Sequence, residues 1–305
     1  MTIARKSHAR RKPKRAGGAV ETPSRPAPAL ARAGVRPANS RGQNFLTSGA
    51  VADRIVAAAQ LSESDAIIEI GPGLGILTGK IGARHPRSLT LVELDPRLAA
   101  PLKDRFAGDT AIRVVNADFL AIDFESLIVS SPVKVIGNLP FNVAAAILRR
   151  LCDNSRMISR MVLMFQREVA ARIRATTGDD AYGALSVFTA MYWKIDLHFT
   201  VAAGSFHPRP KVDAEVLAFT PLAIPSFERD DERDVLETVR ASFSAPRKTI
   251  RNALSHALGL DSAQTVRALE RAAIDPGARA ETLGVPDFVR LAHALRAQLA
   301  GTNDA

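Results

Sequence analysis

The sequence predicts an α/β fold, a parallel sheet with helices on both faces, followed by a small all-α domain. Three observations predict it. Short apolar runs alternate with helical stretches from Val51 onward, Gly71, Gly73 and Gly75 cluster where the first run meets a helix, and beyond Pro225 only helical patterns continue. With 305 residues, 47% apolar and 24% charged, the chain can bury a sizeable core plus an appendage; this composition excludes wholesale disorder, coiled coil and collagen-like repeats.

Three segments are expected: 1–40, 41–222 and 223–305. The first holds ten Lys or Arg against one acid, Glu21, with Pro13, Pro23, Pro26, Pro28 and Pro37 and no apolar periodicity, so a disordered basic tail is expected. It carries nearly all of the formal charge of +10, so the remainder is near neutral and binds phosphate only through local patches. The longest uncharged apolar run, Val135 to Leu148, has 14 residues and contains Pro140. A membrane helix needs ~20. A lone Cys152 permits neither an internal disulfide nor a Cys-rich zinc site, which fits a reducing compartment; no metal is expected.

In chain order, Val51 to Ala59 reads as a helix, and Ala66 to Ile70 as a strand that runs directly into the glycines. Strands follow at Leu89 to Glu93, Ile112 to Val115 and Val133 to Ile136, with later candidates at Met161 to Phe165 and Glu215 to Phe219; Pro208 and Pro210 mark a loop between those two. Helices are expected over Asp230 to Phe243, Pro246 to Leu258, Asp261 to Ile274 and Pro286 to Leu299. Ser244 and Asp261 are placed as N-caps, and Pro246 and Pro286 suit first turns.

Four successive strand ends carry the residues that suggest chemistry. Gly71, Gly73 and Gly75 let backbone approach a ligand where a Cβ would clash. The dinucleotide fingerprint needs its third glycine where Ile76 stands, which argues against a dehydrogenase. Glu93 ends the next strand, where a carboxylate accepts both hydroxyls of a ribose or is simply solvated. Asp118 follows the third strand, as acceptor for an adenine amine or as an Asx turn. The fourth delivers Gly137-Asn138-Leu139-Pro140-Phe141-Asn142. Asn138 offers an amide carbonyl to an amine and Phe141 a face to a planar base; the structural alternative is a tight turn with a core Phe. A site without nucleophile, metal ligand or tuned acid suits chemistry that depends on positioning.

Arg41-Gly42-Gln43-Asn44-Phe45-Leu46, Glu69 to Gly75, Val92-Glu93-Leu94-Asp95, Asn116-Ala117-Asp118, Gly137 to Phe141 and Gln166-Arg167-Glu168-Val169 resemble the ribosomal RNA adenine dimethyltransferases that use S-adenosylmethionine. The likeness runs from residue 41 to about 297. Pro210-Lys211-Val212-Asp213 and Arg247-Lys248-Thr249-Ile250-Arg251-Asn252 resemble the small-subunit branch more than the large-subunit, macrolide-resistance branch. The resemblance implies a Rossmann-like methyltransferase sheet and a helical RNA-binding domain. It places Asn44 and Leu46 at the methionine end of the cofactor, Gly71 and Gly73 as its backbone cradle, Glu93 on the ribose, Asp118 on the adenine amine and Asn138 at the reaction centre, where the Leu139 carbonyl is expected to accept from the amine and Phe141 to hold the base. It further implies a cytoplasmic, monomeric enzyme acting on small-subunit ribosomal RNA. Phe141 stands where the small-subunit enzymes usually have Tyr, and Ala214-Glu215 where Ser-Ala is common, so a large-subunit target remains the rival and a non-catalytic RNA-binding factor a third reading.

RNA requires basic surface near such a site. Residues 149–174 include Arg149, Arg150, Arg156, Arg160, Arg167, Arg172 and Arg174, and residues 238–260 include Arg240, Arg247, Lys248 and Arg251 without an acid. Both are candidate phosphate tracks, with Arg149, Arg150, Arg247, Lys248 and Arg251 the expected contacts; the alternative is solvated helix faces.

Overall fold

The structure, a computed structural model, describes residues 26–35, 43–223, 227, 229–245 and 247–300. Helix α1 (Pro26–Arg32), the short strand β1 (Phe45–Leu46) and α2 (Gly49–Ala58) precede the sheet. Strands and helices then alternate: β2 (Ala66–Ile70), α3 (Ile76–Gly82), β3 (Ser88–Glu93), α4 (Pro96–Phe106), β4 (Ile112–Asn116), β5 (Val133–Asn138), α5 (Ala144–Asp153), β6 (Ile158–Gln166) and α6 (Arg167–Arg174). Helix α7 (Ala184–Ala190) leads into β7 (Trp193–Val201), β8 (Phe206–His207) and β9 (Ala214–Pro221). The last helices are α8 (Glu232–Ser242), α9 (Ile250–Leu258), α10 (Ser262–Arg271) and α11 (Val285–Ala300).

Seven strands form one sheet in the order β4-β3-β2-β5-β6-β9-β7, and β1 pairs with β8 beside it. From β4 to β6 all neighbours are parallel, whereas β9 runs antiparallel to both β6 and β7. The chain order reverses between β2 and β5, which opens a crevice at their carboxyl ends. Register aligns Ile70 with Val92 and with Gly137, so the glycine loop, Glu93 and Asn138 emerge at one height on three adjacent strands.

Alternation along the strands supplies a core to each face. Ile67, Leu89, Leu91, Ile136 and Val162 pack against α2, α3 and α4, while Ile68, Ile70, Val135 and Leu163 pack against α5. Each fully buried aliphatic side chain contributes about 1.5–3 kcal/mol. A third core joins α8 to α11, and it includes Val187 and Met191 from α7 and its end. The helices after residue 223 therefore pack on side chains that precede it in the chain.

Some expectations shift. The basic tail is expected to be unstructured to residue 40; residues 1–25 and 36–40 lie outside the described residues, but Pro26–Arg32 is helical and Leu30 and Val35 are 2% and 3% exposed. Trp193–Val201 is a strand that the sequence reading omits. Helix α9 starts at Ile250 with Thr249 at the cap position, and Ser244 instead donates its hydroxyl to the Ala241 carbonyl behind it. Pro246 lies outside the described residues. Asp261 does cap α10, reciprocally with Gln264.

Candidate active site

A cavity of about 330 Å³ opens over the carboxyl ends of β2, β3 and β5, lined among others by Gly71, Glu93, Leu94, Asp118, Phe119 and Pro140. A recess of about 60 Å³ shares Gly71, Glu93 and Pro140 with it and extends to Asn44 and Asn138. Leu46, 4% exposed on β1, borders a further small recess with Gly71, Gly73 and Asn138. The sequence-predicted residues of the cofactor site are thus brought together from five separate segments.

Two glycines are required by close packing. Gly73 has φ +54, and a Cβ there would meet the Phe45 ring at 3.0 Å. At Gly137 a Cβ would lie 2.9 Å from Leu139 Cδ2 and 3.1 Å from the Ile70 carbonyl, so glycine lets β5 lie against the end of β2.

Glu93 is 5% exposed and held by backbone at both oxygens: Gly73 N–H donates to Oε2 at 3.0 Å and Asp95 N–H to Oε1 at 2.9 Å. Burial raises its pKa above the ordinary value against these hydrogen bonds, which lower it. Each oxygen keeps a second lone pair for a ligand hydroxyl. Asp118 is exposed; its Oδ1 accepts the Leu120 N–H at 2.8 Å in the turn after β4, and it lines the cavity.

Asn138 gives the site its sharpest feature. Its Nδ2 donates to the Asn44 carbonyl at 2.9 Å, and its Oδ1 is buried without a partner. An amide N–H₂ cannot turn away from that carbonyl without losing the bond, so the free end of the side chain is an acceptor. A buried orphan acceptor is costly unless a ligand donates to it. The Leu139 side chain is core at 1% exposure, which leaves only its backbone to act. Phe141 is half-buried, with its ring edge-to-face on Phe206 at 6.4 Å.

One strand end carries a group the sequence reading leaves without a role. Glu69 is 1% exposed; Oε2 accepts from Thr78 Oγ1 at 2.8 Å and Oε1 has no partner. Desolvation pushes its carboxyl up to about 8, with Glu93 adding in the same direction, so it is protonated at neutral pH. Leu94, a large apolar side chain 66% exposed, and Gln43 also line the cavity. The signal for Leu94 is its place directly after a strand-end acid.

The expected phosphate contacts divide. Arg150, an expected phosphate contact, donates to the Leu120 and Ile122 carbonyls and so braces the turn that carries Asp118. Arg149 is paired with Asp153 at 3.0 Å and stacked over Phe188. Arg160 donates to the Ala58 carbonyl and Arg174 to Glu215. Arg247, Lys248 and Arg251 are exposed around the start of α9. Among the described residues no group of three or more His, Cys, Asp or Glu could hold a metal ion, and no helix is long and apolar enough to cross a membrane.

A family model described as "Ribosomal RNA adenine dimethylase" matches residues 36–296. The chain is 40% identical over 268 residues to Ribosomal RNA small subunit methyltransferase A of Geobacter metallireducens, covering 87% of this chain and 97% of the relative. It is 37% identical over 286 residues to the protein of that name in Moorella thermoacetica, covering 91% and 99%. Among solved structures, the 23S rRNA methyltransferase ErmE is similar with a TM-score of 0.62 and 28% identity, over 83% of this chain and 100% of that one. A dimethyladenosine transferase from Plasmodium falciparum shares the fold at a TM-score of 0.70 and 24% identity, over 83% and 98%.

Proposed function

The chain belongs to the ribosomal RNA adenine dimethylase family, and from that membership we propose that it dimethylates the exocyclic amine of adenines in small-subunit ribosomal RNA, using S-adenosylmethionine, as a cytoplasmic monomer. The orphan acceptor of Asn138, level with Gly71 on the neighbouring strand and beside Asn44, carries the reading. Relatives named for the small subunit, 40% identical over most of the chain, favour that target over the large-subunit one.

The residues fit the cofactor. Glu93 accepts ribose hydroxyls, Asp118 the adenine amine, Leu94 and Phe119 border the base, and Asn44, Leu46 and the glycine loop hold the methionine end. Bound S-adenosylmethionine supplies an activated methyl group with a good leaving group. What remains for the protein is the nucleophile, because the lone pair of an adenine amine is delocalised into the ring. Asn138 Oδ1 and the Leu139 carbonyl accept the two amine hydrogens, which turns the nitrogen lone pair out of the ring plane, and the Phe141 face holds the everted base. The surplus proton leaves to solvent after transfer.

Nucleoside mass spectrometry after incubating purified protein and cofactor, in parallel, with unmodified 30S particles and with unmodified 23S rRNA tests the proposal. Dimethyladenosine in 16S rRNA is the expected product. Methylation of 23S rRNA alone would move the target to the other branch, and no methylation with intact cofactor binding would favour a non-catalytic factor.

A further inference from the structure

Residues 26–35 precede the span that the family model matches, yet they are tied to the cofactor cleft by two routes. The apolar route runs through a small core: Leu30 and Val35 bury against Phe45 and Leu98, and the Phe45 ring presses on Gly73. The polar route starts at the Gly34 carbonyl, which accepts from Arg97 Nη1 at 3.1 Å. Arg97 also grips Asp95, with Nη2 to Oδ2 at 2.6 Å and Nε to Oδ1 at 2.9 Å. Asp95 N–H donates to Glu93 Oε1, and Glu93 Oε2 accepts from Gly73 N–H. Both routes converge on Gly73, at the lip of the recess beside Asn138.

We propose that Pro26–Val35 is a positioning strap that holds the glycine loop and Glu93 in their ligand-binding arrangement, and that Arg97 is its polar anchor. The proposal rests on the reading of the cleft as an S-adenosylmethionine site. A loop with glycines at 71, 73 and 75, all at positive φ, has many alternative conformations, and a ligand that needs one of them binds more weakly in inverse proportion to the fraction of time that one is populated. Clamping the loop from outside raises the population of the binding arrangement without touching the ligand.

The test uses the full chain with Leu30→Ser and Val35→Ser together, the conservative pair Leu30→Val and Val35→Ile, and Arg97→Gln. The readouts are S-adenosylhomocysteine affinity by calorimetry, amide hydrogen exchange over residues 71–77, and initial rates. The serine pair should weaken binding and raise the cofactor KM about tenfold, leave kcat and the RNA KM within about twofold, and speed exchange in the loop. Arg97→Gln, on a half-exposed side chain that leaves the cores intact, should move the same constants in the same direction, and the conservative pair should restore them. Affinity and loop exchange unchanged in both the serine pair and Arg97→Gln would overturn the strap. Failure of the wild-type protein to bind S-adenosylhomocysteine would instead overturn the cofactor reading, and loop exchange alone would then decide whether the strap clamps.

Discussion

Asn138 Nδ2 donates to the Asn44 carbonyl at 2.9 Å, and that single bond orients the amide so that its oxygen stays unpartnered beside the glycine loop. The first prediction follows from it. Asn138→Ala should lower kcat by about 10²–10³ while cofactor affinity falls only severalfold, because the acceptor acts on the amine in the transition state. Asn138→Asp should also be impaired, since a carboxylate has no N–H for the Asn44 carbonyl. Single-turnover methylation paired with calorimetry separates the two constants.

Phe141 presents a half-buried ring braced by Phe206. Phe141→Ala should raise the RNA KM or lower kcat/KM by roughly tenfold or more, since stacking of one base is worth about 1–3 kcal/mol. Phe141→Tyr keeps the face and should keep most of the activity. Initial rates on 30S particles measure both.

Glu69 gives a pH prediction. Its carboxyl is raised in the folded protein to about 8, so between the ordinary carboxylate range and pH 8 the native state holds a proton that the unfolded chain has released. Its contribution to stability is complete below that range and declines as pH rises towards 8. Glu69→Gln, which keeps the acceptor for Thr78, should remove this decline: wild type should lose more Tm than the variant between pH 5 and pH 8, and parallel curves would contradict the assignment.

The basic residues can be sorted by salt dependence. Arg247→Ala, Lys248→Ala and Arg251→Ala combined should reduce the slope of log affinity for RNA against log salt by about 2–3, roughly one for each phosphate that is no longer neutralised. Arg150→Ala should leave that slope unchanged and instead weaken cofactor binding, because the turn carrying Asp118 is deprived of its brace. Filter binding over a salt series gives the slopes.

Much of this was legible in the sequence for a local reason. Ala66–Ile70 matches its strand residue for residue, and the glycines, Glu93 and Asn138 mark strand ends by chemistry that only a sheet edge needs. Trp193–Val201 escaped because it is an edge strand: Trp193, Ile195, Leu197, Phe199 and Val201 alternate with polar residues, but Leu197 is 44% exposed and no turn glycine frames the run. The alternation itself was the available signal.

Tertiary contacts explain the rest. Leu30 and Val35 are two apolar residues in a proline-rich basic tail, and nothing local announces that Phe45 and Leu98 bury them. Arg150 looks like any surface arginine until the Leu120 and Ile122 carbonyls, some thirty residues earlier, come within reach of its fork. Glu69 sits inside a glycine motif whose loop draws attention, while its burial depends on the helix that Thr78 brings over it.

The most direct test is a crystal structure of the protein with S-adenosylhomocysteine. The account predicts ribose hydroxyls on Glu93, the base between Leu94 and Asp118, and the sulfur turned towards Asn138 Oδ1. A ligand lodged elsewhere, or with its sulfur turned away from Asn138, would contradict it.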